Sequence, residues 1–139
     1  MKKLADYPIQ QKYQVHWGDM DAAQHVNNLV YLKWSESVRI YFFDQLFGGA
    51  YDFNEGIGPI LAWQDCKYIF PITFPDNAIV GVKTVEILPD RFIIETATFS
   101  EKNNRIAAFG QQTIMAYHYG KLKKAELPSS WQVELKKYL

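Results

Sequence analysis

The sequence lacks the features that define several large classes of protein. Cys66 is its only cysteine, so no disulfide can form within the chain, as is typical of a reducing compartment. No window approaches the roughly 20 apolar residues that cross a bilayer, and the N-terminus has no apolar stretch of signal-peptide length. Lysine plus arginine equals aspartate plus glutamate, which gives no electrostatic reason to expect nucleic acid or a membrane as partner. We therefore expect a soluble, cytoplasmic protein.

Familiar catalytic signatures are also missing. The chain has no Gly-x-Ser-x-Gly elbow of the kind that exposes a nucleophilic serine. Its three histidines, His16, His25 and His118, are widely spaced and lack a metal-ligand pattern. The sequence therefore predicts no serine triad, no metal site and no cofactor.

What is present is a chain of 139 residues, nearly half of them apolar and many of them aromatic. This length fits one domain, spanning residues 1–139, and the composition suffices for a packed core. We find no internal repeat, low-complexity tract or linker.

A long helix is predicted from Asn28 to Phe47, because apolar residues recur there at steps of three or four on two adjacent faces. One face carries Leu29, Leu32, Ile40, Phe43 and Phe47, and the neighbouring face carries Tyr31, Trp34, Val38 and Phe42. Asn27 or Asn28 can cap its start, and Gly48 and Gly49 can end it in a left-handed turn. Such a helix is expected to be enclosed on more than one side.

The rest of the sequence indicates strands. Alternation of apolar and polar residues predicts a short strand over 13–17. Four longer strands are expected over 57–70, 78–88, 91–101 and 106–118, and a short helix is expected after Pro128. Short turns between consecutive strands imply an antiparallel sheet. The order β-α-β-β-β-β predicts an α+β fold in which one sheet wraps one long central helix.

Polar groups gather between the first strand and this helix. The segment contains Trp17-Gly18-Asp19-x-Asp21 and His25-Val26-Asn27-Asn28, and the helix continues with Tyr31-Leu32-x-x-x-Glu36-x-x-Arg39. On these motifs the chain resembles the 4-hydroxybenzoyl-CoA thioesterase-like branch of the hotdog-fold acyl-CoA thioesterase superfamily. The resemblance implies a hotdog fold and hydrolysis of an acyl-CoA substrate to free acid and CoA. It also implies a homodimer or homotetramer with active sites at the subunit interface.

The resemblance implies particular roles. Asp21 matches the catalytic aspartate, which acts either as a nucleophile on the carbonyl or as a general base on water, and the backbone N–H of Asn28 matches the carbonyl-polarising position. Arg91 matches a region of basic CoA contacts, with a solvated strand end as the alternative. Many relatives carry glycine where this chain has Gln24; if the backbone there needs a positive φ, glutamine fits poorly and the loop differs in shape.

The physical case for Asp21 is separate from the resemblance. A thioester carbonyl is already electrophilic, so a carboxylate beside a good oxyanion site suffices without a metal. Asp21 can instead brace a turn through an Asx bond, and we expect that role for Asp19. We expect His25 to order the loop, with direct catalysis as the alternative.

Other candidates have a structural and a functional interpretation. Glu36 falls in the apolar stripe, so we expect it to point inward, where it either pairs with Arg39 or Lys33 or lines the site. Cys66 is expected to be a small core residue. Four aromatic residues are expected to supply a pocket that suits either a fatty chain or an aryl group, namely Tyr31, Trp34, Trp63 and Tyr68.

Two other functions stay open. Another hotdog enzyme, a hydratase or dehydratase of acyl thioesters, would pair an acid with a base around a double bond, and the single aspartate argues mildly against it. A protein that binds an acyl thioester without turnover is the second alternative.

Overall fold

The long helix occupies the predicted residues. The computed structural model describes residues 2–48 and 53–139, and helix α1 spans Asn28–Phe47. Asn27 caps it, because its side-chain oxygen accepts a hydrogen bond from the Leu29 N–H at 3.0 Å. Gly48 ends it in the left-handed conformation, with φ of 55°. Gly49 lies outside the described residues.

An antiparallel sheet wraps this helix. Its strands are β1 (Ile9–Gln14), β2 (Ile57–Gln64), β3 (Lys67–Tyr68), β4 (Asn77–Ile87), β5 (Arg91–Ser100), β6 (Arg105–His118) and β7 (Lys123–Ala125), and a second helix, α2, spans Ser129–Lys136. The strand order is β1-β4-β5-β6-β2, and β3 and β7 also pair with β6. The predicted α+β architecture, with one long helix against one antiparallel sheet, is therefore confirmed.

The predicted strands differ from the observed ones at three places. Strand β1 begins earlier than expected and ends at Gln14, because Trp17–Asp19 forms a 3-10 turn. The expected strand over 57–70 divides into β2 and β3 at Asp65 and Cys66. Strand β7 was not predicted, since its lysine-rich sequence has little strand character of its own.

The core lies between α1 and the inner face of the sheet. Alternate residues of the long strands point at the helix and are fully buried, among them Ala78, Val80, Val82, Phe92, Ile94, Ile114 and Ala116. At the far end of the helix, Phe47 stacks on Trp131 of α2 with ring centroids 4.3 Å apart. The short second helix therefore closes the end of the core opposite Asn28.

Glu36 does not point inward as expected, because its side chain is 62% exposed. The stripe of α1 that faces the sheet comprises Tyr31, Trp34, Ser35, Val38, Arg39, Phe42 and Leu46. Leu29 and Ile40 lie on the opposite side and are exposed with Glu36. The expected ion pair is weak, since Arg39 Nη2 lies 4.0 Å from Glu36 Oε2. Periodicity identified two apolar faces; the second is buried throughout, whereas the first is buried only at Phe43 and Phe47 and is exposed at Leu29 and Ile40.

The break between β2 and β3 needs a glycine on the neighbouring strand. A Cβ atom added at Gly110 would lie 2.0 Å from the Asp65 carbonyl oxygen. Asp65 Oδ1 also accepts a hydrogen bond from the Gln111 N–H at 2.7 Å, which holds the crossing segment in place. Any larger residue at Gly110 must displace backbone, not a flexible side chain.

We therefore expect Gly110→Ala to lower the free energy of unfolding by about 3 kcal/mol, the upper part of the range for overpacking a closely packed site. Gly18→Ala is the matched control, since a Cβ there meets no atom within 4 Å. Urea denaturation of both variants measures the difference, and equal stability of the two would contradict the close approach.

Candidate active site

The polar segment before α1 folds as a tight hairpin that returns to the start of the helix. The Asn27 N–H donates to the Asp19 carbonyl at 2.9 Å, and Met20 and Val26 form an antiparallel bridge. One step further, the Asp21 N–H donates to the His25 carbonyl at 3.1 Å. This ladder places Asp21 at the tip of the hairpin, two residue steps from the helix cap.

Asp21 is held at one oxygen and open at the other. Its Oδ1 accepts a hydrogen bond from the Ala23 N–H at 2.9 Å, the Asx turn expected as the alternative to catalysis. The residue is exposed, and no hydrogen bond to Oδ2 is seen within residues 2–48 and 53–139. The turn therefore orients the carboxylate and leaves Oδ2 available for another contact. Asp19 acts as the brace that we expected, since its Oδ2 accepts from the His16 N–H at 2.8 Å.

Gln24 adopts the left-handed conformation, with φ of 62°. The Gln24 N–H donates to the Asp21 carbonyl at 2.9 Å, which closes the hairpin tip. Because a Cβ atom crowds the backbone in this region, a non-glycine residue there is strained by about 1 to 2 kcal/mol. The chain thus keeps a positive φ at this position without a glycine.

The segment 69–76, between β3 and β4, forms hydrogen bonds with both the hairpin loop and helix α1. Ile72 gives its carbonyl to the Val26 N–H at 2.9 Å and its N–H to the Tyr31 hydroxyl oxygen at 3.0 Å. The Tyr68 hydroxyl donates to the Asn28 carbonyl at 3.1 Å. The first turn of α1 is therefore tied to two neighbouring segments.

A cleft of about 270 Å³ opens at this helix start, lined by Val26, Asn28, Tyr31, Tyr68, Ile69, Phe70 and Pro71. The Tyr31 and Tyr68 rings meet edge to face, with centroids 5.4 Å apart. Asn28 is the first helical residue, so its N–H has no intrahelical acceptor. The Asn27 side chain takes the Leu29 N–H instead. The cleft thus has an aromatic wall and lies at a helix start where the Asn28 N–H has no intrahelical acceptor.

The groups that line and flank the cleft stay neutral near pH 7. Burial raises the pKa of Tyr68 to about 12, and a hydrogen bond with Cys66 adds to the effect. Burial also raises the pKa of the Cys66 thiol. Because the thiolate is the reactive form of cysteine, this shift disfavours Cys66 as a nucleophile and fits the expected core role.

The remaining predicted site residues lie at different distances from the cleft. His25 lies opposite Asp21 in the hairpin and accepts the Asp21 N–H at its backbone carbonyl, and the role of its side chain stays a prediction. Trp63 is exposed on β2, the strand at one edge of the sheet. Trp34 is on the buried face of α1 and contacts Tyr31 edge to face, with ring centroids 5.6 Å apart.

Arg91 lies away from the cleft of its own chain. It begins β5 next to Phe92, which packs on Phe43 and Phe47 at the C-terminal end of α1. Its guanidinium makes two hydrogen bonds to Asp90, of 2.9 and 3.0 Å, and these hold the pKa of Asp90 below its ordinary value. A role in binding CoA phosphates stays a prediction.

Sequence reasoning missed a polar seam between helix and sheet. Ser35 Oγ lies 2.7 Å from Thr96 Oγ1, and Gln112 Nε2 donates to the same oxygen at 3.0 Å. Gln112 Oε1 is buried without a hydrogen-bond partner in the described chain and borders a cavity of about 10 Å³, room for roughly one water. The sequence does carry a signal, since Thr96 follows the inward residues Phe92 and Ile94 on β5, and Gln112 precedes the inward residues Ile114 and Ala116 on β6.

Neither a metal cluster nor a membrane-crossing helix occurs in the described parts of the chain. Among residues 2–48 and 53–139, no group of three or more His, Cys, Asp or Glu side chains lies close enough to hold a metal ion. Neither α1 nor any other helix described here has the length and apolar character that a membrane crossing requires.

The fold and the loop define the class of protein. One long helix, wrapped by an antiparallel sheet and preceded by a carboxylate-bearing hairpin, is the hotdog arrangement. The chain belongs to the thioesterase-like superfamily, whose family model matches residues 15–135. None of the curated protein sequences matches it significantly.

Solved structures of the same fold cover nearly the whole chain. A thioesterase from Thermus thermophilus, complexed with coenzyme A and Zn, is 26% identical, covers 97% of each chain and has a TM-score of 0.81. A gentisyl-coenzyme A thioesterase is 22% identical, covers 91% of this chain and 98% of its own, and has a TM-score of 0.78. A 1,4-dihydroxy-2-naphthoyl-CoA thioesterase from Synechocystis is 17% identical, covers 92% and 95%, and has a TM-score of 0.76. The last two likenesses concern the fold alone.

The strain at Gln24 can be measured. We expect Gln24→Gly to raise the free energy of unfolding by about 0.5 to 1 kcal/mol, because relief of the left-handed strain exceeds the entropic cost of glycine. Ala22→Gly, in the same hairpin but without a positive φ, should instead lower it. Thermal or urea unfolding of both variants measures the difference, and a loss of stability in both would contradict backbone strain at Gln24.

Proposed function

We propose that this chain hydrolyses acyl-CoA thioesters, with Asp21 as general base or nucleophile and the Asn28 N–H as the donor to the oxyanion. The observation that carries the proposal is the hairpin that holds Asp21, with one carboxylate oxygen bonded and the other open, two residue steps from the capped start of α1. The aromatic cleft lies at that helix start. Membership of the thioesterase-like superfamily supports it, as does the Thermus relative that was solved with coenzyme A.

The chemistry follows from the two groups. Negative charge that develops on the carbonyl oxygen is stabilised at a helix N-terminus by the free N–H and by the helix dipole. As a base, Asp21 takes a proton from water while the water oxygen attacks the carbonyl carbon. The C–S bond then breaks, and the CoA thiolate accepts a proton. As a nucleophile, the Asp21 carboxylate would attack the carbonyl carbon and displace the CoA thiolate, which accepts a proton, to leave a mixed anhydride. Water then hydrolyses the anhydride, which releases the free acid and restores the carboxylate.

The aromatic residues supply the acyl site in this proposal. Tyr31 and Tyr68 line the cleft directly, and neither carries charge near pH 7, since burial raises both pKa values. A neutral aromatic wall accepts an aryl ring or a fatty chain, so both substrate types belong in the assay. Arg91, whose guanidinium is paired with Asp90, would bind a CoA phosphate only if a second subunit brings it near the cleft.

A dimer is part of the proposal, because Asp21 and Trp63 are exposed in the single chain. Strand β2 lies at an edge of the sheet, and its outer half presents Ile60, Leu61 and Trp63, followed by Tyr68 and Ile69. An unpaired edge with apolar side chains is a template for pairing with another copy. Such pairing would cover the cleft and complete the site as a homodimer or, with a second pair, a homotetramer.

Thiol release from a panel of acyl-CoAs tests the reaction. We expect wild-type protein to cleave at least one aryl or fatty acyl-CoA, and Asp21→Asn to lose about 100-fold or more in kcat, since asparagine keeps the Asx turn but cannot act as a base or nucleophile. Asp19→Asn is the control, because an amide oxygen preserves the brace to His16; its rate should stay within about 3-fold of wild type.

The proposal fails if wild type releases no thiol, or if Asp21→Asn and Asp19→Asn are equally active. Consumption of an enoyl thioester without thiol release would indicate the hydratase reaction instead. Substrate that stays bound and intact would indicate a binding protein.

The edge pairing has its own test. We expect Trp63→Glu to lower the molecular mass measured by light scattering and to reduce hydrolysis together, because a charge on the pairing edge must be desolvated for the dimer to form. Val133→Glu is the matched control, since Val133 is equally exposed but lies on α2. An unchanged mass for Trp63→Glu would place the interface elsewhere.

A further inference from the structure

The outer face of the sheet, opposite α1, carries a large cavity that the proposed reaction does not use. Its volume is about 820 Å³, within the usual range of roughly 300 to 1,000 Å³ for small-molecule sites. It lies between the N-terminal segment, with the 3-10 turn Leu4–Asp6, and the hairpin end where β5 meets β6. Asp21 and Asn28 are not among its lining residues.

The floor of this cavity is apolar across three strands. Ile79 pairs with Phe99, and Phe99 pairs with Ile106, so the three side chains form a row on β4, β5 and β6. Leu4, Ile69 and Phe109 complete the lining. Phe99 is buried against Tyr7, whereas Ile79 and Ile106 on either side of it are only partly buried. An outward sheet face in water normally carries polar residues, so partly exposed apolar residues that line a cavity of this size indicate an occupant.

The rim of the cavity is cationic, and two of its cations, Lys3 and Arg105, are available to bind an anion. Lys2 already forms an ion pair, because its Nζ lies 3.1 Å from Oε1 of the buried Glu95. Glu101, the anion on the rim, is neutralised by Lys12 at 2.6 Å. Within the described residues, Lys3 and Arg105 have no carboxylate partner; the Arg105 guanidinium lies 4.3 Å from the Phe70 ring centroid, which leaves its N–H edge free.

From this combination we propose that the outer cavity binds a long-chain fatty acid. The hydrocarbon chain lies along the row of Ile79, Phe99 and Ile106, and the carboxylate takes charge-assisted hydrogen bonds from Lys3 and Arg105. A nucleotide would leave the apolar floor unmatched. A second copy of the chain, packed face to face, would bring another Lys3 and Arg105 to the same patch and add like charges.

The inference goes beyond the proposed function and does not depend on it, because it concerns binding away from the Asp21 hairpin. Ile69 nevertheless lines both the outer cavity and the cleft at Asn28. An occupant of the outer cavity therefore contacts the same segment that borders the aromatic wall.

Isothermal titration with palmitate below its micelle concentration tests the proposal. We expect wild type to bind palmitate and to bind hexadecanol, which has the same chain without the charge, at least about 10-fold more weakly. The double variant Lys3→Gln, Arg105→Gln should weaken palmitate binding by about 10-fold or more. The control, Lys123→Gln with Lys124→Gln, removes two cations from β7, far along β6 from the cavity, and should bind as wild type does.

A second variant tests the apolar floor. Ile106→Trp fills the cavity without changing charge, and we expect it to weaken palmitate binding, with circular dichroism as the check on folding. The proposal is overturned if wild type binds no palmitate, or if the double variant and Ile106→Trp both bind as wild type. It is also overturned if Ile106→Trp lowers the oligomer mass while palmitate does not bind, because a second copy then covers this face.

Discussion

The candidate site depends on one residue that carries no reactive group. Ile72 uses its carbonyl to hold Val26 and its N–H to hold the Tyr31 hydroxyl, at 2.9 and 3.0 Å. The first bond fixes the end of the hairpin that bears Asp21, and the second fixes the first turn of α1. Because both bonds come from one buried peptide segment, loop and helix cannot move apart without leaving buried polar groups unpaired. That clamp holds the loop against the helix, whereas the bond from the Ala23 N–H orients the Asp21 carboxylate, and Asn28, as the first helical residue, has an N–H without an intrahelical acceptor.

The two faces of the sheet have different chemistry. The inner face packs apolar side chains on α1, interrupted by the seam of Ser35, Thr96 and Gln112, whose hydrogen bonds offset part of the cost of burying polar groups. On the outer face, the Tyr7 side chain covers Gly81 and Ala97. The buried Glu95 carboxylate contacts the Tyr7 hydroxyl and the Lys2 ammonium. Tyr7 also packs edge to face on Phe99, whereas Ile79 and Ile106 on either side of Phe99 are only partly buried.

Local patterns predicted much of the architecture. The helix bounds, its Asn27 cap and its Gly48 terminus follow from interactions within a few residues, so they could be read directly. The long strands β4, β5 and β6 were recognised for the same reason. The boundary errors arose where tertiary contacts act: the crossing at Gly110 divides β2 from β3, and β7 forms only because β6 extends past β5. The positions of Asp21 and Asn28 in sequence suggested a site, but the clamp at Ile72 had no local signal.

The sequence by itself determined which segments form helix and strand, where α1 begins and ends, and that a carboxylate-bearing loop precedes it, because backbone preferences and capping act over one or two turns. Only the tertiary structure decided which face of α1 is buried. Two adjacent faces are apolar. Packing on the sheet and on α2 buries the face with Tyr31, Val38 and Phe42 and also the C-terminal part of the other face, and it leaves Glu36 in solvent. It also decided that Arg91 and Asn28 lie at opposite ends of the helix, since strand pairing sets distances that no spacing along the chain contains.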